Sequence, residues 1–147
     1  MPVLYTCCNS QGEWCTITLK SGKFLFTSLT STDEALQTAL YGYTGFYMGL
    51  CGFILGLPNM PELGYDYPIV TCYDLACSNC YVNRSVTKAL TLQTGGYAHC
   101  SACDLTYNLN NQGIVSSEGK NTYSFETFRP LYRYRVYYGN DVLTINN

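Results

Sequence analysis

Between positions 13 and 26 apolar and polar residues take turns, with Cys15, Ile17 and Leu19 on one side of an extended chain and Trp14, Thr16 and Thr18 on the other. Phe24 to Phe26 resume after Ser21-Gly22. A period of two marks a half-buried strand and Ser-Gly supplies a turn, so this segment predicts a β-hairpin. Ser31-Thr32-Asp33-Glu34 opens another rhythm, Ala35, Leu36, Ala39 and Leu40. Those positions share one helical face behind an N-cap signal, which predicts a short helix of about two turns. No charge occurs from Ala35 to Pro61, and Gly45 to Leu57 is the most apolar stretch. A membrane-spanning helix needs about 20 predominantly apolar residues. Here Pro58 ends the run, and Gln37, Thr38, Tyr41, Tyr43 and Thr44 dilute what precedes it. Glycines 45, 49, 52 and 56 let strands turn and pack closely, so a buried strand pair is expected rather than a span.

Further short strands are predicted at Pro68 to Tyr73, Ala89 to Leu92, Gly113 to Ser116, Arg129 to Tyr138 and Val142 to Ile145, separated by Gly, Asn, Ser and Pro. Tyr138-Gly139-Asn140-Asp141 reads as the turn of a last hairpin. The expected fold class is mostly β with one short helix, and little else in the chain reads as helical.

At 147 residues the chain fits one domain, 1–147, large enough to bury a core without staples. Its 8 Lys+Arg against 10 Asp+Glu leave a net charge of -2, which denies it the broad positive field of a general nucleic-acid binder. Apolar content of 47% argues against disorder. The start, Met-Pro-Val-Leu-Tyr-Thr-Cys-Cys, has no basic region or long apolar run and reads as cytoplasmic. Leu4-Tyr5-Thr6-Cys7 also fits the tail of a lipoprotein signal whose upstream part is missing, in which case Cys7 or Cys8 would carry a lipid anchor in the cell envelope. The other reading is an ordinary terminus with two thiols.

Nine cysteines is an odd count, so they cannot all pair as disulfides within the chain. Cys77-Ser-Asn-Cys80 and Cys100-Ser-Ala-Cys103, with 19 residues between them, form a C-x2-C…C-x2-C pattern. A two-residue gap aims both sulfurs of a tight knuckle at one ion, and two knuckles close a tetrahedron with sulfurs about 2.3 Å from zinc. Four thiolates leave no open position, so such a site is structural rather than catalytic. Disulfides or free buried thiols are the alternatives. A disulfide oxidoreductase would need one pair after a strand and before a helix, a context expected of neither pair.

The remaining candidates read more plainly. His99, the one histidine, fits a strand-end surface group better than a replacement ligand or a donor to the site, and Cys72 fits a buried strand thiol. Arg133 and Arg135 alternate with Tyr132 and Tyr134 as the solvated face of a strand does. No catalytic motif is visible.

Around and after the second pair the chain runs Cys103-Asp-Leu-Thr-Tyr107-Asn-Leu109-Asn-Asn-Gln-Gly113, then Pro130-Leu131-Tyr-Arg-Tyr134-Arg-Val136, Gly139, Leu143 and Ile145. In this order of residues the chain resembles the Rieske iron-sulfur family, and most of all a divergent, Rieske-like branch with cysteine pairs in its metal loops, often expected to be envelope lipoproteins. The resemblance covers Pro68 to Asn147 well and the first half loosely. It implies stacked antiparallel sheets with a small metal-binding subdomain, about 70–116, inserted into a larger base. Rieske loops read Cys-x-His and Cys-x-x-His. Cys77 and Cys100 match the cysteine positions and Cys103 the second histidine, whereas Cys80 sits one residue beyond the first histidine position. The imidazoles on which the family's high-potential chemistry depends are therefore missing. Four thiolates suit Zn²⁺, one iron as in rubredoxin, or an all-cysteine [2Fe-2S] cluster, with zinc the first choice. Two functions follow: a non-enzymatic domain with structural zinc, or an electron carrier with an iron centre and a redox partner.

Overall fold

A computed structural model of the chain describes residues 14–20, 23–26, 50–119, 127–139 and 142–146. Within them lie ten strands and one helix: β1 (Trp14–Lys20), β2 (Lys23–Phe26), β3 (Phe53–Gly56), β4 (Thr71–Asp74), α1 (Ser78–Arg84), β5 (Thr91–Gln93), β6 (Tyr97–His99), β7 (Thr106–Asn108), β8 (Ile114–Ser117), β9 (Arg133–Gly139) and β10 (Val142–Asn146). The fold is mostly β. No helix among the described residues is long and apolar enough to cross a membrane. The helix predicted at 31–40 and the thiols of Cys7 and Cys8 lie outside the described residues.

The strands form a six-stranded sheet in the order β10-β9-β4-β3-β1-β2 and a four-stranded sheet in the order β5-β6-β7-β8. All the paired strands are antiparallel. The predicted first hairpin forms, with Lys20 opposite Lys23. Of the strand pair expected in 45–57, β3 is present, but both its edges are taken by β1 and β4, and 45–49 lie outside the described residues.

The middle of the large sheet is buried on both faces. All four residues of β3 and of β4 are buried, and so are Trp14, Cys15 and Thr16. That explains why Phe-Ile-Leu-Gly and Thr-Cys-Tyr-Asp show no alternation, since strands covered on both sides have no polar face. Cys15, Leu55, Cys72 and Tyr134 are successive cross-strand partners and occupy one face. Ile54, Tyr73 and Trp14 occupy the other, where they join the core with Ala98, Leu105, Tyr107, Leu109 and Leu131. Gly56 stands opposite Trp14, and a Cβ there would lie 2.3 Å from the indole ring. The register thus needs glycine at 56 so that tryptophan can lie across the strand.

Strand β4 pairs with β9 through Cys72↔Tyr134 and Tyr73↔Arg133, and everything from 75 to 132 is threaded between those neighbours. Leu131 N–H donates to Gly113 O at 2.9 Å, tying the end of this excursion to β8. At Gly113 the backbone has a φ of 68°, and a Cβ would lie 3.0 Å from both Leu131 and Tyr73.

Candidate metal centre

The first cysteine pair is built by a helix start. Cys77 leaves β4 in an extended conformation and caps α1, its sulfur accepting from Cys80 N–H at 3.5 Å. Cys77 N–H is itself held by Lys88 O at 2.8 Å, and Leu90 N–H by Leu75 O at 2.8 Å. The loop 76–89 is therefore closed at its base before it offers its thiols. Ser85 ends the helix in the left-handed region, with its N–H on Tyr81 O.

The prediction that no helix follows either pair is corrected here, because Cys77 and Cys80 follow β4 and open α1. The reason lies in α1 itself. Its buried side chains are Asn79 and Cys80, so it carries no apolar stripe by which a helix is recognised. A dithiol that exchanges electrons must meet its substrate. These two sulfurs have no exposure and face the other pair instead.

The second pair sits in the connection from β6 to β7, the two short strands that were not predicted. Three residues each leave no room for a visible alternation. Cys100 N–H donates to Leu105 O at 2.9 Å and Asp104 N–H to Cys100 O at 2.8 Å, which folds the knuckle back on itself. Asp104 takes the left-handed φ of 59° that this turn requires.

The two knuckles converge. The sulfurs of Cys77, Cys80, Cys100 and Cys103 all lie within 4.8 Å of one another, and all four residues are buried. Contacts between knuckles are shorter, 3.7 Å for Cys77 to Cys103 and 3.6 Å for Cys80 to Cys100. Sulfurs on one tetrahedral ion, each about 2.3 Å from it, would lie about 3.8 Å apart. The donor set therefore fits a metal ion.

Charge points the same way. A hydrogen bond from Cys77, together with the main-chain N–H groups of Cys103 and Ala102, pulls the Cys100 thiol down to about 5 against the effect of burial. Burial and the neighbouring Cys100 and Cys103 push Cys80 up to about 12. Cys77 is also raised, first by its bond to Cys100 and then by burial, and Cys103 is raised mainly by burial. One sulfur ionises easily and the rest resist, as expected of like charges crowded out of water. A cation in their midst would lift that resistance.

Two side chains without an assigned role in the sequence reading complete the site. Tyr107, on β7, places its hydroxyl 3.1 Å from Cys77 Sγ, and Asn79 Nδ2 donates to that hydroxyl at 2.7 Å. Burial first, then the Cys77 contact, raises the Tyr107 phenol, so it keeps its proton and can donate it to a Cys77 thiolate. Tyr107 is legible only as the aromatic after the second knuckle, and nothing local marks Asn79.

The other candidates stand apart from the four sulfurs. His99 ends β6, with Nε2 3.7 Å from an Asp104 carboxylate oxygen, both partly exposed. Cys72 is buried within β4. Arg133 pairs with Glu62, and Tyr134 donates to Asp74 at 2.6 Å, so these two strand neighbours turn to opposite faces. Among the described residues the four cysteines form the one group able to hold a metal. No protein-family model, curated protein or solved structure matches the chain.

Proposed function

We propose that this is a non-enzymatic, Rieske-like domain in which Cys77, Cys80, Cys100 and Cys103 hold a structural zinc ion. The observation that carries the reading is the convergence of four buried sulfurs within 4.8 Å, with no place left for a water or substrate among the donors. Compactness favours one ion over an all-cysteine [2Fe-2S] cluster, since two irons and their bridging sulfides would spread the terminal sulfurs further. Support for the Rieske-like assignment is topological: both pairs and the four-stranded sheet fall in the excursion between β4 and β9, as an inserted metal-binding unit over about 70–116 would require. Bound zinc would tie the β4–β5 and β6–β7 connections together, and its binding energy would count as folding energy.

Elemental analysis of protein purified without added metal, together with its visible spectrum, tests this. Stoichiometric zinc in a colourless protein is the expected result. Iron with visible thiolate absorption would replace it with the electron-carrier reading, and absence of any metal would remove both.

A further inference from the structure

Asn79 stands between the two cysteines of the first pair, and its fully buried amide is engaged on every side. Arg129 main-chain N–H donates to Asn79 Oδ1 at 2.8 Å, and Arg129 main-chain O accepts from Nδ2 at 2.9 Å. A donor and an acceptor on one main-chain residue leave the amide a single orientation, because turning it over would set N–H against N–H and oxygen against oxygen. The other Nδ2 hydrogen then meets the Tyr107 hydroxyl oxygen at 2.7 Å. With that oxygen already accepting, the hydroxyl proton is free to point at Cys77 Sγ, 3.1 Å away.

We propose that Asn79 is a positioning residue for the metal centre: clamped by the main chain of Arg129, it aims the Tyr107 hydroxyl at Cys77 and so sets the donor strength of that one ligand. The inference rests on the four-cysteine metal reading and goes beyond it. A hydrogen bond to a thiolate draws charge from sulfur and favours the ionised form over the thiol. Partners of this kind orient ligands and tune the metal they hold. The clamp also makes the site depend on a residue 50 positions away, just before the chain enters β9. Removing Asn79 or Tyr107 deletes the same hydrogen bond to Cys77, so the two losses overlap rather than add.

Cobalt(II) is the probe, because its thiolate charge-transfer absorption reports sulfur donor strength directly. Wild type, Asn79→Ala, Tyr107→Phe and the double variant are each titrated with Co²⁺. Each single variant should move the charge-transfer band to longer wavelength, since a sulfur that has lost its hydrogen bond is easier to oxidise, and should weaken binding about tenfold. The double variant should bind no more weakly than Tyr107→Phe alone. A purely structural Asn79 would weaken binding with the band unmoved, and that result, or losses that multiply in the double variant, would overturn the proposal. If Asn79→Ala does not fold, Asn79→Ser carries the same cycle. A wild-type chain that takes up no Co²⁺ would instead bring down the metal reading itself, and the proposal with it.

Discussion

The hydroxyl of Tyr73 reaches out of the large sheet to the main-chain oxygen of Leu109, just past β7 in the small one, at 3.2 Å. Its ring also packs on Trp14, with centroids 5.8 Å apart. One side chain thus joins both sheets. Burial is the main cause that pushes its phenol up to about 12 from the ordinary 10. A folded-state value above the unfolded one means the group's contribution is fully present below pH 10 and is lost as pH rises through about 12. Melting temperature should therefore fall steeply over that window, and Tyr73→Phe should make the fall shallower. Thermal melts between pH 9 and 12 decide it. An identical alkaline limb in the variant would contradict the assignment.

Loss of one sulfur from the metal centre should appear as lost stability. Cys103→Ser is expected to cost about 3–5 kcal/mol, a drop in Tm on the order of 10 °C, because metal binding is coupled to folding. A chelator should lower the wild-type melt toward that of the variant and leave the variant nearly unchanged. Coincident melts for wild type and variant without chelator would dismiss structural zinc.

Gly56→Ala places a methyl group 2.3 Å from the Trp14 ring. Trp14 must shift, at about 1–3 kcal/mol for overpacking. Because Trp14 is the chain's one tryptophan, its fluorescence reports the change without interference. A red-shifted emission and a lower urea midpoint are expected.

Asp74 is buried and its carboxylate accepts from three donors: Leu50 N–H at 2.9 Å, Ala76 N–H at 2.8 Å and the Tyr134 hydroxyl at 2.6 Å. Asp74→Ala strands all three at the point where β4 leads into the first metal loop, and should cost about 3 kcal/mol or more. Tyr134→Phe removes one donor and leaves the carboxylate its main-chain partners, so it should cost about 1 kcal/mol. Equal losses in the two variants, measured by urea unfolding, would mean that the main-chain bonds contribute nothing.

What was legible in the sequence is what local chemistry controls. Two-residue gaps between cysteines permit a knuckle wherever the chain places them, so Cys77, Cys80, Cys100 and Cys103 stand out without any knowledge of the fold. Alternation over 13–26 and the turn residues near 21 and 139 likewise depend only on neighbours, and β1, β2, β9 and β10 lie where they were expected. Short elements escaped. Helix α1 buries an asparagine and a cysteine instead of an apolar stripe, and β6 and β7 have three residues each.

Only the tertiary structure decided which strands are neighbours and what surrounds the sulfurs. Tyr73 faces Arg133 across a strand pair, Asn79 meets Arg129, and Tyr107 meets Cys77. These contacts join positions 60, 50 and 30 residues apart. No local preference encodes such distances, because they are set by strand pairing and by the packing of loops and helix on the sheets. The sequence by itself named the four sulfurs, and the fold supplied the hydroxyl and the amide that address one of them.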